Sequence, residues 1–164
     1  MTVTQLADYI VRYYNSVGDV ISNKKLNKIL YYIQGWHFGY FKNGPIFKEA
    51  PQAWVHGPVY PQIYAKYRWD NNIKVHENEC TPNVLEEILI SFNLSKDERE
   101  FLESSLVFYS KRSGTELEIT THREKPWLET RGDLAPHVSS EKEIPLELIK
   151  EFFIERHKKA TAKK

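Results

Sequence analysis

The sequence predicts a mainly α fold, a compact bundle of about six to seven helices with a short β-hairpin or small sheet as its minor element. Three observations lead there. Thr2 to Gln5, Ser95 to Glu98 and Ser113 to Glu116 each set a hydroxyl three residues before a Gln or Glu, the pattern of a capping box. Apolar residues recur at helical spacing behind each of them. Behind Ser22, a further N-cap, Leu26, Ile29, Leu30, Ile33, Trp36, His37 and Tyr40 make one long face.

The first helix carries Leu6, Tyr9, Ile10, Tyr13, Tyr14 and Val17, and Gly18 stops it. The long helix from about Ser22 to Tyr40 is expected at the centre, covered by the first, third and last helices. Asn43, Gly44 and Pro45 end it, and an irregular hairpin interrupted by Pro51 is expected between Ile46 and Val55. Gly57 and Pro58 read as the opening of a third helix with Ile63, Tyr64 and Tyr67 inward, ended by Asp70 to Asn72. Ile73 to Val75 reads as a brief strand beside the Ile46 region. Thr81 and Pro82 start a helix through Val84, Leu85, Ile88, Leu89 and Phe92. Ser95 opens one through Phe101, Leu102, Leu106, Phe108 and Tyr109, and Ser113 opens a short one through Leu117 and Thr120. A loop is expected from Glu124 to Glu143, with Pro126, Gly132 and Pro136, before a last helix from about Pro145 that presents Leu146, Ile149, Phe152 and Phe153.

A chain of 164 residues fits one domain, expected over residues 1–158, with 159–164 as a basic, disordered tail. The 23 Lys and Arg against 22 Asp and Glu leave a net charge of +1, so no global field draws a phosphate backbone or an anionic membrane. No nucleic-acid or membrane partner is expected. The single cysteine, Cys80, rules out an internal disulfide and a Cys-based zinc site and fits a reducing compartment. Met1 to Asp8 lacks a leader pattern, and no run approaches the ~20 apolar residues of a membrane span, so a cytoplasmic location is expected.

Catalytic patterns are sparse. His56 and His122 could act as acid and base, with Glu124 orienting one imidazole and Arg131 holding an anion, the chemistry of a hydrolase-like enzyme. The stronger reading is structural, because a His before Gly and Pro caps backbone and a His near Trp packs against it. No Gly-rich phosphate loop, nucleophile elbow or His-Glu-x-x-His pattern is present, so no catalytic residue, cofactor or metal is assigned. Aromatic residues concentrate between Tyr9 and Trp69, and Tyr and Trp are favoured in recognition surfaces. Tyr31, Tyr32, Tyr60, Tyr64, Tyr67, Arg68 and Trp69 are the candidates for a partner-binding face, with a place in the core as the competing reading.

The run from Lys25 to His37, Lys-Leu-Asn-Lys-Ile-Leu-Tyr-Tyr-Ile-Gln-Gly-Trp-His, resembles the signature of the Panacea, or SocA-like antitoxin, domain, also found in phage-associated GepA-like proteins. Gly44 to Phe47, then Ala53 to Pro61 with Trp54, His56, Gly57 and Pro58, then Ser113 and Gly114, Thr121 and His122, and Pro126, Trp127 and Arg131 follow in the family's order. The resemblance implies a compact helical domain that neutralises a cognate toxin by direct binding, in one form as an adaptor to a Clp-type protease. It also implies that the cluster Trp54, His56, Gly57, Pro58, His122, Pro126, Trp127 and Arg131 matters, as scaffold or as site. No helix-turn-helix segment precedes the signature, so operator binding is not expected. A small phage or prophage protein with a host target is the alternative.

Overall fold

A computed structural model describes residues 1–42, 44–68 and 71–162. Among them are eight α-helices and one two-stranded antiparallel sheet, and the fold is mainly α with a minor hairpin. Helix α1 (Val3–Ser16) opens on the expected capping box: the Thr2 hydroxyl accepts from the Gln5 amide at 3.2 Å, and the Gln5 side chain accepts from the Thr2 amide at 2.8 Å. Val17, expected on its inner face, lies past the helix end and is exposed.

Helix α2 (Asn23–Phe41) starts where Ser22 caps the Lys25 amide. It is buried nearly all round, not on one face. Helices α1, α3, α5, α6 and α8 and strand β2 all pack against it, so even Asn27, Lys28, Gln34 and His37 are shut from water. Tyr40, counted on its apolar stripe, is the exception and projects outward. Burial of polar groups is costly unless they are paired, and here each is. The Gln34 side chain donates to the Phe47 carbonyl at 3.0 Å and accepts from the Ile46 amide at 3.1 Å. Asn27 accepts from the Tyr60 amide at 2.8 Å, and Lys28 donates to the Pro58 carbonyl at 3.0 Å. The His37 ring lies 3.0 Å from the Glu98 carboxylate. Burial disfavours the charged Glu98, but hydrogen bonds from His37 and Ser95 outweigh it and lower its pKa.

Those clips draw the non-helical chain along α2. Strand β1 (Gln52–Trp54) pairs with β2 (Gly57–Val59) in the register Gln52 to Val59, Ala53 to Pro58 and Trp54 to Gly57. The hairpin therefore lies later than expected, and Gly57 and Pro58 belong to its second strand instead of opening a helix. Helix α3 (Pro61–Tyr67) begins at Pro61, whose fixed φ and missing amide suit a first turn. Ile73 pairs with Ile21 through a 2.9 Å backbone bond, not with the Ile46 region. Asn43, Trp69 and Asp70, read as turn, surface and helix-end residues, lie outside the described residues.

A single 3₁₀ turn spans Glu77–Glu79 ahead of α4 (Pro82–Ser91), α5 (Lys96–Ser110) and α6 (Gly114–Thr121). The last three start at Thr81, Ser95 and Ser113 as expected. The loop expected from Glu124 contains a helix, α7 (Lys125–Arg131), with Pro126 in its first turn. Helix α8 (Leu146–Thr161) runs past residue 158, so the start of the presumed tail is helical, while Lys163 and Lys164 lie outside the described residues.

Helix α8 is the most extensive neighbour of α2, and glycine makes the close approach possible. A Cβ on Gly35 would stand 2.3 Å from Phe153 Cε2, and one on Gly39 would stand 3.0 Å from the Phe153 carbonyl oxygen. The Phe153 ring is wholly buried and meets Tyr31 and Trp36 edge-on at 5.7 and 5.2 Å, so it has little room to retreat. Helix propensity alone would make Gly35→Ala stabilising by about 1 kcal/mol. We expect the opposite sign, a loss of about 1–3 kcal/mol in urea denaturation, because the added methyl overpacks the contact. An unchanged or more stable variant would show that the helices separate without cost.

Candidate functional site

Two regions bring sequence-selected residues together: a clamp around the hairpin and an open groove on the other side of α2. The clamp is built on α7. The Trp127 ring stacks on His122 with centroids 4.3 Å apart, and its indole donates to the Trp54 carbonyl at 2.9 Å. One turn on, Arg131 lies over the same ring at 5.0 Å. Its guanidinium donates to the carbonyls of Ala53 at 2.9 Å, Ala135 at 3.0 Å, Pro136 at 3.3 Å and Val138 at 2.6 Å. Trp127 is 5 % exposed and Arg131 2 %. Together they fasten the chain after α7 to strand β1, with Pro126 buried beside them.

The other half of the clamp forms around Gly57, where φ is +93° and an added Cβ would stand 2.6 Å from Thr121 Oγ1 and 2.9 Å from Lys28 Cε. Backbone conformation and space both exclude a side chain there. Lys28, 1 % exposed, fills that space, and burial pushes its ammonium down to about 7, with Glu118 opposing and Lys24 adding to the fall. Glu118 takes Lys24 at 2.6 Å and His56 Nδ1 at 2.8 Å, which lower its pKa against the effect of burial.

The acid–base constellation read from the sequence is not assembled. His56 stands exposed against Glu118, while His122 lies flat on Trp127, its pKa lowered by burial. Glu124 turns away to α2 and α8: it accepts from the Tyr32 hydroxyl at 3.2 Å and Arg156 at 2.6 Å, and burial raises its pKa against the pull of Arg156. Arg131 spends its donors on carbonyls. Among the described residues, no group of three or more His, Cys, Asp or Glu is placed to hold a metal ion.

The groove encloses about 700 Å³ between α5 and α8, with α2 as its floor and α6 at one end. Tyr32 and Tyr109 stack at 5.3 Å in its depth. Trp36, Tyr40, Phe101 and Phe108 line it further, and Tyr40 and Phe108 remain 56 % and 52 % exposed. Arg156 lies over Trp36 at 5.3 Å and Arg112 over Phe108 at 4.6 Å.

Residues 26–128 match the family model described as antitoxin SocA-like, Panacea domain. The chain belongs to that family. No curated protein and no solved structure matches it. The matched span of the Panacea domain runs from α2 through the hairpin and α5 into α7, so it takes in Lys28, Gly57, His122 and Trp127 of the clamp, whereas Arg131, α1 and α8 lie outside it. Among the described residues, no helix of this family member is long and apolar enough to cross a membrane.

The aromatic face expected for a partner is dispersed in this Panacea domain. Tyr31 and Tyr60 are wholly buried, and Tyr32 shows only the groove its ring. Tyr64 packs on Trp54 at 4.9 Å, and the Tyr67 hydroxyl donates to Asp8, which also pairs with Lys66. Arg68 is exposed, and Trp69 lies outside the described residues. The groove residues Trp36, Tyr40, Phe101, Phe108, Arg112 and Arg156 were missed as a set. A signal existed in Phe108 beside Tyr109: adjacent helix positions diverge by 100°, so two neighbouring large rings do not share one inward face.

Two outcomes follow from the clamp. Trp127→Ala should cost about 3–5 kcal/mol in chemical denaturation, and Arg131→Lys less, because a lysine keeps the charge but loses the fork that reaches several carbonyls. A loss under about 1 kcal/mol for Trp127→Ala would mean that the loop is held by something else. The Lys28 pKa gives a pH dependence whose sign is fixed. Its folded value, about 7, lies below the unfolded 10.5, so the unfolded chain binds more protons between those limits and stability rises with pH across them. Denaturation midpoints of the parent and Lys28→Met at pH 7, 8.5 and 10 should show the parent gaining on the variant as pH rises, by at most about 1.4 kcal/mol per unit. A constant difference would place the ammonium in contact with water.

Proposed function

We propose that this protein neutralises a cognate protein toxin by direct binding, and that the groove between α2, α5 and α8 is the surface it uses. The observation that carries the reading is the pair of half-exposed rings, Tyr40 and Phe108, set with Trp36 and two arginines around an open apolar cleft. Aromatic residues and arginine dominate the energetics of protein interfaces, and contiguous exposed apolar surface marks binding sites. Family membership supports the antitoxin role over catalysis, and the engaged states of His56, His122, Glu124 and Arg131 agree with that reading. Neutralisation has two forms, occlusion of the toxin and its delivery to a Clp-type protease. Toxin levels in cells with and without that protease separate them.

The test is co-expression with the product of the adjacent reading frame. Tyr40→Ala with Phe108→Ala should abolish rescue from toxicity and weaken the purified complex by at least about tenfold, roughly 1.4 kcal/mol, with Tm close to the parent's. Full rescue by a folded double variant would remove the groove from the toxin interface. If the adjacent product is harmless and a host protein binds instead, the protein is the phage or prophage effector of a host target.

A further inference from the structure

We infer, on the strength of the antitoxin reading, that the groove receives an amphipathic α-helix of the toxin, running antiparallel to α5, acidic at its N-terminal turn and basic at its C-terminal turn. The wall that α5 offers is one helical face, Asp97, Phe101, Ser104 with Ser105 and Phe108, and Arg112 continues it just past the helix C-terminus. At 1.5 Å per residue, Asp97 to Ser110 spans ~20 Å, and with Arg112 just beyond it the wall suits a helix of about 15 residues. Between the rings of Phe101 and Phe108, the two serines leave a gap, a hole in which a large apolar side chain can seat as a ridge enters a groove.

Helical chain fits this slot better than extended chain. The walls and floor are helices whose backbone groups are spent on their own hydrogen bonds, so they offer a strand no edge to pair with. A strand laid over Trp36, Tyr40 and Phe108 would leave its amides unpaired, whereas a helix satisfies its own. The recognition mode is therefore a helix in a groove, read through anchors at i, i+3 or i+4, and i+7.

Charge sets the direction. At one end, Arg112 has no carboxylate within ion-pair distance among the described residues, and its guanidinium rests on Phe108. Arg156, farther along the slot, gives Nη1 to Glu124 and lays its plane over Trp36. At the other end, Asp97 has no ion pair among the described residues, and Glu100 has only Lys96 at 3.8 Å. A helix carries acidic residues best at its N-terminus and basic ones at its C-terminus, because each then faces the favourable end of the macrodipole. Such a helix matches the slot only with its N-terminus at Arg112, which makes it antiparallel to α5 and parallel to α2 and α8.

The experiment uses the full chain and two fluorescein-labelled peptides of about 15 residues, each with Leu and Phe on one helical face. One has Glu in its first turn and Lys in its last, and the other has these charges exchanged. Fluorescence anisotropy should show the first binding more tightly by on the order of fivefold, as expected for two exposed charge contacts. Ser104→Trp, which fills the gap from the exposed side, should lose both peptides with its melting curve unchanged. Asp97→Lys with Arg112→Glu should reverse the preference. Equal binding of the two peptides by the parent, or parental affinity in folded Ser104→Trp, overturns the slot. The co-expression assay keeps the two ideas apart: rescue with indifferent peptides removes the slot and leaves the antitoxin. Peptides that bind as expected, with no rescue, remove the antitoxin and leave the slot.

Discussion

A helix covered on nearly every side must find protein partners for the polar side chains it buries, and α2 buries several. That requirement governs the route of the chain that follows. Gln34 holds Ile46 and Phe47 by a two-way hydrogen bond, Lys28 holds Pro58, and Asn27 holds Tyr60, so the non-helical stretch between α2 and α3 is laid along α2 at fixed points. The hairpin then stands where its strand β1 can meet α7, and Arg131 closes the arrangement by collecting carbonyls from β1 and the chain beyond. Removing any of these side chains leaves a backbone donor or acceptor unpaired, which costs more than the bond itself contributes in water.

Helix starts were legible in the sequence because a cap is a local device. Thr2, Ser22, Thr81, Ser95 and Ser113 each satisfy an amide within three residues, so neighbours in sequence suffice to reveal them. The hairpin was misplaced for the opposite reason. Gly57 and Pro58 suit a helix opening as well as a strand after a tight turn, and what decides is the lack of room beside Lys28 and Thr121, which are distant in sequence. Helix α7 leaves no periodic signal in the sequence, because only seven residues separate Glu124 from Gly132. The family cluster was legible as a set, but its chemistry was not, since a His, a Trp and an Arg in one motif describe a pocket and a clamp equally well.

The aromatic residues show the same limit at finer scale. Tyr31, Tyr32 and Tyr40 sit on one helix, yet the first is sealed, the second shows an edge to the groove, and the third is open. Spacing along α2 does not distinguish them, because a helix covered on most sides has no single outward stripe. What distinguishes them is the end of the coverage by α5 and α8. The clamp faces inward and the groove outward, and the side chains that line the groove are not those that hold the hairpin, so the former can change without disturbing the latter's hydrogen bonds.

The close fit of α8 against Gly35 and Gly39 has a consequence in time. Chain leaves the ribosome from the N-terminus, and domains complete as their last elements emerge. Helix α2 is made well before α8, its most extensive cover, so until α8 emerges the nascent protein carries an apolar flank with Tyr31 and Trp36 beside the empty berth of Phe153. Protection of that flank from aggregation and from proteases therefore arrives only once α8 has been made and has docked.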